Sequence, residues 1–195
     1  MNNHTSFTSS WIESFILSLH YNFSFLTKIF TVILCSFILI LSAKIKVDLY
    51  PVPMTLQPLA ILMISMLCGR NIAVATVSFY LFQGMIGLPV FAYGGGLTYL
   101  MGPTGGFLFG FLLASLVVGE LADRGWGKVL FKSVFAMMLG MLIIYLFGIM
   151  QLSIIKGFEF ALLKGMYPFI IGDFYKLLLA SVLLPQIWKF TKASK

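Results

Sequence analysis

The sequence predicts an all-α integral membrane protein with six transmembrane helices in one bundle, and three observations lead there. Of 195 residues, 60% are hydrophobic and only 10% charged, with a mean hydropathy of +1.01. Soluble domains carry about 25% charged and about 45–50% apolar residues. Long stretches also lack charge altogether: Asn71 to Gly119 holds 49 residues without one, enough for two spans at about 20 residues each. Finally, the apolar blocks are far longer than the roughly 10-residue alternating segments of membrane β-barrels. Backbone groups in lipid must be satisfied within the segment, so helices follow.

The spans fall in order. The first covers about 25–45 and is interrupted only by Lys28, whose long stem can snorkel to the interface. "DLYPVPMTLQPLAIL" follows, with Pro51, Pro53 and Pro58 in eight residues. Proline suits a first helical turn and disrupts an interior, so regular helix is expected from near Pro58. The second span, 54–69, is therefore short or broken at its outer end, and Thr55 and Gln57 sit on irregular backbone there. The third span is 71–89. "GMIGLPVFAYGGGLTYLMGPTGGFLFG" then concentrates nine of the 18 glycines in residues 84 to 110. Glycine permits close backbone approach, and small residues let membrane helices pack tightly. The remaining spans are 103–122, 131–152 and 167–188. One domain results, residues 25–190, between an N-terminal extension (1–24) and a short tail (191–195).

Net charge is +7, but the basic residues are loop residues, so topology explains them better than nucleic acid does. With both ends in the cytoplasm, Lys28, Arg70, Arg124, Lys128, Lys132, Lys189, Lys192 and Lys195 lie inside. Lys44, Lys46, Lys156 and Lys164 lie outside, an excess that favours this orientation. The Pro-rich segment, the Gly-rich connection and the start of the last span then share the outer face, which suggests a pocket opening outward. Residues 1–24 lack a basic stretch and a small-residue cleavage site, so a cleaved signal is not expected. "WIESFILSL" within them suits an interfacial helix with Trp11 and Phe15 on one side.

Most chemistries lack their residues. "GWGKVL" has neither the spacing nor the Ser/Thr of a nucleotide-binding loop, and "GPTGG" has no lysine. The histidines, His4 and His20, both precede the first span, and no cluster has metal-ligand spacing. Cys35 and Cys68 read as small buried hydrophobes. Glu120, Asp123 and Arg124 mark the inner end of the fourth span, where interfacial charge is ordinary.

Asp173 and Lys176 are different, because they lie inside the last apolar run, about 9 and 14 Å from its start at Tyr167. Ionisable groups at such depth cost about 2.5–3.5 kcal/mol each near a helix centre. Three residues apart, they share a helix face. One reading is a structural ion pair. The other is a recognition pair in which Lys meets a ligand carboxylate and Asp meets ligand N–H groups. Thr55 and Gln57 would add polar contacts, and Phe91 and Tyr93 would wall an apolar ligand body. Tyr80, Gln83, Thr104 and Tyr175 are further polar-tipped candidates that can equally tie helices together.

"VPMTLQPLAIL", "YLFQGMIGLPVFAYGGGLTYLMGPTGGFLFGF" and "YPFIIGDFYKLLLA" resemble, in order and spacing, the BioY family, the biotin-binding S components of energy-coupling factor (ECF) transporters. The resemblance runs from about Lys46 to Leu184. It implies a six-helix protein of the bacterial cytoplasmic membrane that captures biotin on the outer face, with Asp173 and Lys176 lining the site. In the glycine loop, backbone groups of Gly94 and Gly95 would replace a side-chain contact. It further implies a transmembrane coupling subunit and two ABC-type ATPases as partners, with ATP hydrolysed there and no cofactor in this chain. The chain departs from the family on its first helix, where many S components carry an A-x-x-x-A motif for docking and this sequence has Cys35, Leu39 and Ala43 at that spacing. The alternative is a solitary carrier of biotin or a similar small carboxylate vitamin, facilitated or proton-coupled through Asp173. An intramembrane enzyme would need a nucleophile and base set that the chain lacks.

Overall fold

The computed structural model describes residues 25–192, and the side chains of all of these but 181 and 185–192. The expected interfacial helix around Trp11 and Phe15 lies outside the described residues, as does the end of the tail.

Helix α1 (Phe25–Lys44) leads into a small antiparallel pair, β1 (Lys46–Val47) and β2 (Met54–Thr55). The turn joining them includes a cis Tyr50–Pro51 peptide. Helix α2 (Gln57–Met85) starts with Pro58 in its first turn, where the missing N–H costs no intrahelical bond. The "MT" ahead of it pairs as β2 rather than lying irregular, because Thr55 faces Lys46 and Met54 faces Val47. The ladder satisfies polar groups that the prolines leave outside helix.

Helix α2 is not one rod. Gly69 has φ 74 and ψ 178, outside helical values, and glycine alone adopts that region at no steric cost. Gln57 Nε2 donates to the Tyr80 hydroxyl at 2.7 Å. A straight helix would hold two residues 23 positions apart at about 35 Å, so the chain folds back at Gly69 and its halves, 57–68 and 70–85, lie side by side. Asp123 Oδ2 accepts the Arg70 N–H at 3.1 Å and so satisfies a donor freed where the second half begins. The first half, at about 18 Å, is shorter than the roughly 30 Å of a bilayer's hydrocarbon core.

A short helix α3 (Leu97–Met101) precedes α4 (Gly105–Asp123), and a 3-10 turn (Trp126–Lys128) leads to α5 (Leu130–Lys156). Helix α6 (Phe158–Gly165) and the long α7 (Tyr167–Lys192) complete the order. The short helices α3 and α6 have no counterpart in the sequence reading, since neither is long enough to show as an apolar run. Among the described residues, five helices are long and apolar enough to cross a membrane: α1, α2, α4, α5 and α7.

Helix α2 packs chiefly on α4 and α4 on α5, while α1 lies against α2. Gly106 and Gly110 make the α4–α5 contact close, for a Cβ there would overlap the Phe147 carbonyl or press on Ile144 Cα. That is the use of small residues between membrane helices. The core runs through Leu39, Ile61, Met66, Val77, Met137 and Ile144. Phe37, Phe131, Leu142 and Leu178 point outward and are exposed, an apolar exterior of the kind that lipid covers.

Candidate functional site

One cavity brings together residues from β2, the start of α2, the 86–96 connection, α4, α5 and α7. It lies at the end of the bundle opposite Arg70, where Arg70 and Arg124 both pair with Glu120, at 3.3 and 2.9 Å. Its walls include Phe91, Tyr99, Phe107, Phe111 and Phe169, and its polar groups include Thr55, Gln57, Thr104, Tyr145, Asp173 and Lys176.

Asp173 is 5% exposed. Lys176 Nζ donates to Asp173 Oδ1 at 2.8 Å and to the Thr55 carbonyl at 2.8 Å. The Tyr145 hydroxyl donates to Asp173 Oδ2 at 2.5 Å. The pair is therefore paired and hydrogen-bonded, the condition under which buried charge is tolerated. It is not exhausted. An ammonium has three donors and a carboxylate about four acceptor sites. The bonds described occupy two of the former and two of the latter.

Gln57 serves the wall from its inner side. Besides its bond to Tyr80, its Oε1 accepts from Thr55 Oγ1 at 3.4 Å, and Tyr80 in turn donates to the Val90 carbonyl at 3.3 Å. Phe91 is 1% exposed. Its ring meets Tyr80 edge-on at 5.5 Å and Tyr99 at 5.0 Å between centroids, arrangements that aromatic pairs prefer to face-to-face stacking.

Of the residues singled out from sequence, Asp173, Lys176, Thr55, Gln57, Phe91 and Thr104 meet at this cavity. Tyr93, Gly94 and Gly95 are not part of its lining. The Tyr93 side chain turns out, 53% exposed, and its hydroxyl donates to Asp48 Oδ1 at 2.7 Å. Gly94 closes a tight bridge with Phe91, donating and accepting across it. Gly95 lies so close to the Leu88 carbonyl that a Cβ would overlap it. Tyr80 and Gln83 are helix ties, the latter accepting from Ser36 at 2.7 Å. Tyr175 is exposed.

A model of the BioY family matches residues 12–193, nearly the whole chain. The chain belongs to the BioY family. Its relatives include the probable biotin transporter BioY of Pyrococcus horikoshii, 34% identical over 74% of this chain and 86% of that one. The biotin transporter BioY of Thermotoga maritima is 35% identical over 78% of this chain and 90% of its own. Among solved structures, the S-component for biotin from an ECF-type ABC transporter matches with a TM-score of 0.73 at 25% identity. That match covers 86% of this chain and 95% of that one. The relatives carry the names of transporters, and none of these names is that of an enzyme.

Tyr145 was invisible in the BioY family chain's sequence. It stands in "MLIIYLFGIM", an apolar run where a tyrosine signals nothing. Only the packing of α5 on α7 shows that it faces Asp173. Phe107 and Phe111 left a faint trace, an (i, i+4) pair after "GPTGG" that shares a helix face.

Proposed function

We propose that this chain captures biotin from the outer side of the bacterial cytoplasmic membrane and serves as the substrate-binding subunit of an ECF-type transporter. The observation that carries the reading is the buried Asp173–Lys176 pair on the cavity wall, with one ammonium donor and two carboxylate acceptor sites left over. Biotin's ureido ring offers two N–H donors, which suit Asp173. Its valerate carboxylate suits the remaining donor of Lys176, and its ring and chain suit the aromatic wall around Phe91. Thr55 and Gln57 supply polar contacts beside the pair, while Tyr93, Gly94 and Gly95 act on the loop that carries Phe91 rather than on ligand directly. The names of the curated relatives and of the structural neighbour support biotin as the ligand.

The fold-back at Gly69 supports six membrane crossings, with α2 contributing two, and so both termini on one side. The lysine and arginine distribution favours the cytoplasm for that side. The partners would be a transmembrane coupling subunit and two ABC-type ATPases, which supply the energy that this chain's residues do not. Equilibrium binding of labelled biotin to the purified chain tests the reading. Saturable binding that unlabelled biotin displaces is expected, and its absence would sink the proposal. ATP-independent uptake by the purified chain in liposomes would favour a solitary carrier instead.

A further inference from the structure

The cavity is about 50 Å³, well below the roughly 300–1,000 Å³ of small-molecule sites. A ligand of biotin's size enters only if part of the wall moves. Two walls lie outside the long helices, the 45–56 segment with Val52, Pro53 and Thr55 and the 86–96 connection, and the latter carries the Phe91 ring across the cavity.

That connection is held down from outside by the end of α1 and by β1 with the residue that follows it. Lys44 Nζ donates to the Pro89 carbonyl at 2.7 Å and to the Phe91 carbonyl at 2.6 Å. Two residues beyond Phe91, the Tyr93 hydroxyl donates to Asp48 Oδ1. Lys46 Nζ pairs with the same oxygen at 2.9 Å and stands 3.3 Å from the Tyr93 ring centre. The attachments thus fall on both sides of the Phe91 side chain. The outermost of them is wet, since the Asp48 side chain is 72% exposed, while the Lys44 bond to the Phe91 carbonyl is half-buried. Exposed ionic contacts are weak and salt-sensitive, suited to repeated release. On its inner side Tyr80 donates to the Val90 carbonyl at 3.3 Å, while backbone bonds from Leu88 to Gln83 and from Gly96 to Gly84 anchor its ends to α2 and leave the Pro89–Tyr93 stretch between them.

We propose that Lys44, Lys46 and Asp48 form a latch that holds Phe91 over the binding cavity and sets the rates at which ligand enters and leaves. This rests on the reading of the cavity as the biotin site. The three are positioning residues: they act through the Pro89–Tyr93 backbone and the Tyr93 ring, and none lines the cavity.

Stopped-flow measurement of labelled-biotin association and dissociation, on the full chain in nanodiscs, tests the latch. Lys44→Met removes a charged donor from two carbonyls and should raise dissociation about tenfold, with association faster as well, so that affinity falls less than the off-rate rises. Tyr93→Phe, a conservative change at an exposed site, should raise both rates by a smaller factor without altering thermal unfolding. Salt should speed release from the unmodified chain and do so less in Asp48→Asn. Unchanged rates in both Lys44→Met and Tyr93→Phe overturn the latch. So does a faster off-rate with an unchanged on-rate, which would mean that these groups hold ligand rather than the loop. If the unmodified chain binds no biotin, the biotin reading fails and the latch with it, whereas binding with unaltered rates removes the latch alone.

Discussion

The Tyr145 hydroxyl donates to Asp173 Oδ2 from the neighbouring helix, while Lys176 occupies the other carboxylate oxygen. Asp173 is thereby held from two directions, and its remaining acceptor sites are fixed in space before ligand arrives. Ordering groups beforehand raises affinity by reducing what binding must immobilise. Tyr145→Phe keeps the ring and removes the bond. It should weaken biotin binding by about tenfold, in line with the roughly 1–3 kcal/mol cost of leaving a buried acceptor unpaired. Equilibrium binding of labelled biotin reads this directly; an unaltered affinity would take Tyr145 out of the site.

The two charges should separate by ligand chemistry. Asp173→Asn removes the negative partner and leaves Lys176 buried without it. Truncating one member of such a pair costs about 2–5 kcal/mol, so affinity for biotin should drop by at least about thirtyfold. Lys176→Met should harm free biotin more than biotin amide, because only the former presents a carboxylate. Equal losses for the two ligands, measured by competition, would remove Lys176 from the carboxylate.

The fold-back predicts a local sensitivity of the scaffold. At Gly69 the backbone has positive φ, and an added Cβ would overlap Asp123 Oδ1. Gly69→Ala therefore meets both backbone strain, about 1–3 kcal/mol for a region of positive φ and extended ψ that is essentially glycine's alone, and displacement of the carboxylate that receives Arg70 N–H. The thermal unfolding midpoint in detergent should fall by several degrees. Tyr80→Phe, which cuts the tie between the halves of α2 and the bond to the Val90 carbonyl and leaves the buried Gln57 amide without that acceptor, should lower it as well, by the equivalent of about 1–3 kcal/mol. A midpoint that does not move in either variant contradicts the fold-back.

The latch has a definite pH window. Its hydrogen bond from Tyr93, and then Lys46, hold the Asp48 carboxyl below the usual carboxylate range. The same bond pushes the Tyr93 phenol up to about 12. A depressed carboxyl contributes fully above its ordinary value of about 3.9 and loses that contribution as pH falls through the lowered one. A raised phenol contributes fully below its ordinary value of about 10 and loses it as pH climbs toward the raised one. Release of biotin amide, which has no carboxyl of its own to titrate, should thus be level from about pH 5 to 9 and quicken on either side, with Asp48→Asn abolishing the acid limb. A step in the off-rate near neutrality would point to a different titrating group.

Much of the scaffold was legible because it depends on local sums. Hydropathy accumulates residue by residue, so the sequence located the apolar runs that became α1, α4, α5 and α7 within a few residues. A break between Gly69 and Asn71 was visible because Arg70 interrupts the run beside a glycine. The Pro-rich entry to α2 was legible for the same kind of reason, since proline's restriction is its own. Asp173 and Lys176 stood out because charge inside an apolar helix is costly wherever that helix sits.

Tertiary structure decided everything that depends on which face meets which. Phe91 and Tyr93 are two residues apart in one loop, yet the first closes the cavity and the second turns out to Asp48. No property of the two rings announces that difference. Tyr145 meets Asp173 only because α5 lies on α7, and Lys44 meets the Pro89 and Phe91 carbonyls only because the end of α1 passes beside them. Membrane residence is a property of each segment taken alone, whereas a hydrogen-bond partner is fixed by the positions of two segments at once. That is why the sequence by itself determined where the chain enters lipid, and only the packed bundle determined what each polar group touches.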